Sequence, residues 1–194
     1  MMCMGLNSAH ALTKKILIIG DSLSTAYGIN HNEGWVSLLT QRLHAQAPNI
    51  SIINESISGQ TTAAALSELP RLLSHHQPTL VVIELGGNDG LQGLPLAHIK
   101  NNLTQMIQLA ANNKAQVLLL GMQLPPNYGA RYTEGFKNIY QELAKHYNIT
   151  LVPFLLKGVG GYIQYMQYDN IHPSGSAQVM MLDNVWPYLQ PLLK

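Results

Sequence analysis

Lys15-Ile16-Leu17-Ile18-Ile19-Gly20, followed at once by Asp21-Ser22-Leu23-Ser24, is the stretch on which the fold turns. A short, continuous apolar run ending in glycine suits a parallel strand buried on both faces; a half-exposed strand would alternate apolar and polar residues. Three more runs share the character: Ile50-Ser51-Ile52-Ile53-Asn54, Leu80-Val81-Val82-Ile83-Glu84 and Gln116-Val117-Leu118-Leu119-Leu120. Thr150-Leu151-Val152 is a shorter fifth.

Helical spacing fills the intervals. Trp35, Leu38, Leu39 and Leu43 share one face, as do Ile99, Leu103, Met106, Ile107 and Ala110. Phe136, Ile139, Tyr140, Leu143 and Tyr147 do the same, and Met181, Val185, Tyr188 and Leu189 gather before Pro191. Thr61 to His76 also reads as helical, with Pro70 expected to kink or shorten it. Strand–helix alternation implies right-handed crossovers and an α/β fold, a parallel sheet with helices on both faces. Five strands point to the flavodoxin-like order 2-1-3-4-5, in which ligands bind beyond the carboxyl ends of the strands, between the first and third.

The composition agrees. Apolar residues make up 46% of the 194 and charged residues 11%, which excludes a disordered or coiled-coil chain. A formal net charge of +1 without basic clusters excludes nucleic acid as an expected partner. No apolar run reaches the roughly 18 to 20 residues needed to span a bilayer. The single cysteine, Cys3, excludes a disulfide framework within one chain. Residues 1–14 read as a tail and residues 15–194 as one domain, expected to act as a monomer. Within the tail, Ala9-His10-Ala11 has the form of a signal-peptidase site, although the upstream segment lacks a full apolar region and a preceding basic residue. It reads as the end of an export leader, hence a periplasmic or secreted protein, or as a plain tail in a cytoplasmic one.

Polar residues cluster where the sheet would bind a ligand. Asp21-Ser22 follows the first strand, Glu55-Ser56-Ile57-Ser58-Gly59 the second, and Leu85-Gly86-Gly87-Asn88-Asp89-Gly90 the third. Each alone is compatible with an ordinary turn or helix cap. Asp169-Asn170-Ile171-His172-Pro173, before the last helix, changes the weighting. A serine hydroxyl is a poor nucleophile until a base takes its proton and a third group orients that base. His172 and Asp169, three residues apart, can supply both, even if Ser174 also caps the helix that follows. Of the eight histidines, only His172 has a nearby loop carboxylate and a plausible partner.

Together, the four segments resemble the SGNH (GDSL) hydrolase family over nearly the whole chain from Ile16. The resemblance implies a serine nucleophile at Ser22, a general base at His172 and a tautomer-fixing carboxylate at Asp169. It further implies an oxyanion hole formed by the backbone N–H groups of Ser22 and Gly59 with the Asn88 side chain. No metal or organic cofactor is required. Apolar residues beside that centre (Leu91, Leu94, Pro95, Met122, Leu124, Pro125 and Pro126) favour an acyl chain, so the expected substrates are fatty acyl thioesters and simple fatty esters, to which the resemblance adds lysophospholipids. A carbohydrate or aryl esterase would use the same residues. A flavodoxin-like binding module would leave Asp169 and His172 without a role.

Overall fold

The computed structural model describes residues 14–194; Cys3 and the Ala9-His10-Ala11 segment lie outside them. Five strands, β1 (Lys14–Gly20), β2 (Ile50–Asn54), β3 (Leu80–Glu84), β4 (Gln116–Leu120) and β5 (Thr150–Val152), form one all-parallel sheet in the order β2-β1-β3-β4-β5. β1 begins one residue earlier than expected, at Lys14. The central strands are apolar on both faces because both are covered: Leu17, Ile18, Val81, Val82 and Ile83 have no exposed surface.

The helices are α1 (Trp35–Gln46), α2 (Thr62–His76), α3 (Gly87–Leu91), α4 (Leu96–Asn112), α5 (Ala130–Tyr147) and α6 (Gln178–Leu189). α1 packs beside α6, while α4 packs between α2 and α5. The faces anticipated for α4 and α5 are the buried ones.

Three local expectations change. Pro70 does not shorten α2, which continues past it to His76 with the proline at an exposed position. The side chain of Tyr188 is exposed, and α6 packs through Met181, Leu182, Val185 and Leu189 instead. Ser174 makes no side-chain cap; its hydroxyl pairs with that of Ser176, and α6 starts at Gln178.

Register positions the site. Gly20 pairs with Glu84 across β1 and β3, so the chain leaves both strands at one level, where the strand order reverses. A Cβ on Gly20 would lie 2.7 Å from Glu84 Oε2 and 2.8 Å from Ser24 Oγ, so glycine there lets the two turns close on each other.

Candidate active site

Ser22 sits in the turn after β1, half-buried, while Asp21 before it is 2% exposed. The Asp21 carboxylate accepts the Leu23 N–H at 3.0 Å, closing the turn on itself. Directly opposite, Ser22 Oγ lies 2.9 Å from His172 Nε2, although 150 residues separate the two in sequence. The other ring nitrogen, Nδ1, lies 2.6 Å from Asp169 Oδ2. An ionised carboxylate can only accept, so Nδ1 carries the ring hydrogen and donates it to Asp169. Nε2 is left to accept from the serine hydroxyl.

The Asp169 loop is built to hold that geometry. Asp169 Oδ1 accepts the backbone N–H groups of Ile171 and His172, both at 3.0 Å, and Asn170, which follows Asp169, turns through the left-handed region at φ 56°. The His172 backbone N–H, its ring N–H and the Ile171 N–H together lower the Asp169 pKa to about 2. Asp169 therefore stays ionised, and an acceptor, at neutral pH and well into the acid range.

The segment after β5 carries this loop back across the top of the sheet. The Gln167 N–H donates to His172 O at 2.7 Å and the Ser174 N–H to Tyr165 O at 2.8 Å, around an antiparallel bridge between Met166 and Pro173. Gln167 Nε2 then donates to Tyr27 O and Pro173 O, at 2.8 and 3.0 Å, tying the loop to the Ser22 turn. Gly28, at φ 74°, leaves room for Gln167: a Cβ there would strike its side chain. The Tyr27 ring lies 4.6 Å from the His172 ring.

The three anticipated oxyanion donors are differently disposed. Among the described residues, neither the Ser22 N–H nor the Gly59 N–H has an intramolecular acceptor. Gly59 turns at φ 78° with nothing within 4 Å of where a Cβ would be. Asn88, on α3, already spends its amide: Nδ2 donates to Asp21 Oδ2 at 2.9 Å and to Gln60 O at 3.0 Å.

A groove of about 470 Å³ opens beside Ser22 and His172, within the size class of small-molecule sites. Leu91, Met122, Leu124, Pro125 and Pro126 line it, as the sequence suggests. Leu94 and Pro95 do not: Leu94 packs against the core, and Pro95 is an exposed residue at the start of α4. Phe154, Leu156, Met166 and Ile171 line it as well, and the sequence does not single them out because residues 153–173 show no helical or strand period. Their apolar content was the only signal available.

Burial pushes the Asp21 pKa up to about 6 and raises that of Glu84, which is wholly buried beneath it. Both carboxyls therefore hold a proton more tightly in the folded chain than in the unfolded one. For Asp21 that contribution to stability is complete below about pH 4 and is lost as pH rises through about 6. Urea unfolding of the wild type should accordingly lose on the order of 1–3 kcal/mol between pH 4.5 and 7.5 relative to Asp21→Asn. Parallel pH dependences in the two proteins would refute the assignment.

The profile of the GDSL-like lipase/acylhydrolase family matches residues 18–178. Over 184 residues, the chain is 50% identical to the esterase TesA of Pseudomonas aeruginosa, covering 95% of this chain and 92% of that one. It is 41% identical to thioesterase 1/protease 1/lysophospholipase L1 of Escherichia coli K12, over 94% of this chain and 86% of that one. A solved structure of the psychrotrophic esterase EstA from Pseudoalteromonas sp., inhibited by monoethylphosphonate, superposes with a TM-score of 0.88 at 38% identity. That match covers 93% of this chain and 98% of the other.

Proposed function

Because this chain belongs to the GDSL-like lipase/acylhydrolase family and is a serine ester hydrolase, we propose that it cleaves fatty acyl esters and thioesters through an acyl-enzyme on Ser22. The observation that carries the reading is the continuous chain from Ser22 Oγ through the His172 ring to Asp169, with links of 2.9 and 2.6 Å.

In this mechanism Ser22 Oγ attacks the acyl carbonyl as its proton passes to His172 Nε2. Asp169 keeps the ring in the accepting tautomer and stabilises the imidazolium that forms. The carbonyl oxygen, now an anion, is received by the Ser22 and Gly59 N–H groups and by the Asn88 amide. Collapse expels the alcohol or thiol with the proton from His172 and leaves the acyl group on Ser22. A water then repeats the sequence, giving up its proton to His172 and releasing the acid.

The apolar lining of the groove supports an acyl chain as the part recognised. Exposed Tyr27, Ile57, Tyr162, Ile163, Tyr168 and Ile171 lie in the segments that follow the carboxyl ends of β1, β2 and β5 and suit amphiphiles such as acyl-CoA thioesters and lysophospholipids. A fluorophosphonate probe tests the chemistry, since it phosphonylates an activated serine. One adduct, mapped to Ser22 by peptide mass and abolished in His172→Ala, is the expected result. An adduct elsewhere, or equal labelling without His172, would overturn the proposal.

A further inference from the structure

An amide NH₂ has two hydrogens, and both of those on Asn88 are engaged, by Asp21 Oδ2 and by Gln60 O. The two acceptors are not equal. A carboxylate forms a hydrogen bond roughly twice as strong as a neutral carbonyl does, so the bond to Asp21 is the one that persists when a new acceptor arrives. The carboxylate also joins two segments. Oδ1 holds the Leu23 N–H, immediately after Ser22, and Oδ2 holds Asn88, at the start of α3. Asp21 is itself fixed from below, where its N–H donates to Glu84 Oε2 at 3.2 Å and Ser24 Oγ donates to the same oxygen at 2.7 Å. Acyl transfer as derived above makes no use of Asp21, yet a buried carboxylate is costly to keep.

We infer that Asp21 is a positioning residue for the oxyanion hole, its carboxylate fixing the Asn88 amide against the Ser22 turn while the Gln60 carbonyl occupies the second amide hydrogen until the oxyanion forms. The inference rests on the reading of Asn88 as an oxyanion donor. Asp21 is buried at the floor of the site and acts through Asn88 rather than on the reacting atoms. It sets the aim of one donor and the spacing between the turns that carry two of them. The tetrahedral oxygen takes the hydrogen now on Gln60 O, and Asp21 keeps the amide from rotating as it does so.

A double-mutant cycle on p-nitrophenyl butyrate tests this, using Asp21→Ala, Asn88→Ala and the pair, with kcat and KM measured separately. Asn88→Ala should lower kcat on the order of 10²-fold. Asp21→Ala should lower kcat about 10- to 100-fold with KM within about threefold, and the pair should be no worse than Asn88→Ala by more than a few-fold. Asp21→Asn, which keeps the shape and one acceptor, should recover part of the loss. It replaces Asp21→Ala in the cycle if thermal unfolding shows the alanine variant to be misfolded. Multiplying defects, with Asn88→Ala impaired, would overturn the role of Asp21 alone. An unchanged kcat in Asn88→Ala would instead overturn the oxyanion role of Asn88, and this inference with it. A normal kcat in Asp21→Ala or, where that variant is misfolded, in Asp21→Asn overturns the inference directly.

Discussion

Replacing Ser22 with alanine is expected to cut kcat/KM on every ester by roughly 10⁴ to 10⁶ while leaving the fold intact. The size follows from the absence of a substitute. Among the described residues, no other serine hydroxyl is hydrogen-bonded to a histidine ring; His76, the other histidine paired with a carboxylate, bonds Glu55 with no hydroxyl beyond it. The fold should survive because Ser22 Oγ is half-buried at the surface of the groove and its hydrogen bond goes to His172 alone. Leu23, Ser24 and Asp21 hold the turn without it. Removing the hydroxyl spares the groove and the proposed oxyanion donors, so a small residual rate over water should remain. The measurement is kcat/KM on p-nitrophenyl butyrate beside a thermal melt. A variant that keeps more than a few per cent of activity and melts normally would mean that the nucleophile lies elsewhere.

The fold was legible because its strands are buried on both faces. Continuous apolar runs such as Ile16–Ile19 and Leu80–Ile83 have few alternative readings in a chain that alternates them with helical spacing. What escaped was α3, written Gly-Gly-Asn-Asp-Gly in residues that favour turns. It forms a helix because the third strand ends beside Asp21 and Thr62. The Asp89 carboxylate there accepts the Thr62 N–H at 2.9 Å, and Asp21 holds Asn88. These are tertiary bonds that no local preference encodes.

The same distinction runs through the site. Ser22, Asp169 and His172 lie in short blocks whose residue types already pointed to acyl transfer, and the fold brings them together. Half of the groove was readable as apolar loops after β3 and β4, but Leu94 and Pro95 share that composition and face away. Asp21 passed as a turn residue. The signal available was a carboxylate at the end of each of two apolar runs, Asp21 after β1 and Glu84 closing β3, which buries two acids side by side.

Acyl chain length is where the groove should declare itself. Each methylene taken from water contributes roughly 0.8 kcal/mol, about fourfold in kcat/KM when the transition state benefits from it. From acetate to octanoate, six methylenes wholly buried would multiply to several thousandfold. A groove open to solvent along one side captures less, so a rise of about 10³ is expected across that range, followed by a plateau. The plateau marks the point at which the chain outgrows the groove lined by Leu124, Phe154 and Leu156. Leu124→Ser separates this from a general effect of hydrophobicity on the assay. Leu124 is half-buried, lines the groove and takes no part in the proton path, so acetate hydrolysis should stay within about twofold while octanoate falls about tenfold. The series runs as p-nitrophenyl esters, each kept below its solubility limit. If acetate were the best substrate, the groove would not be binding an acyl chain, and a carbohydrate esterase using the same Ser22, His172 and Asp169 would be the better description.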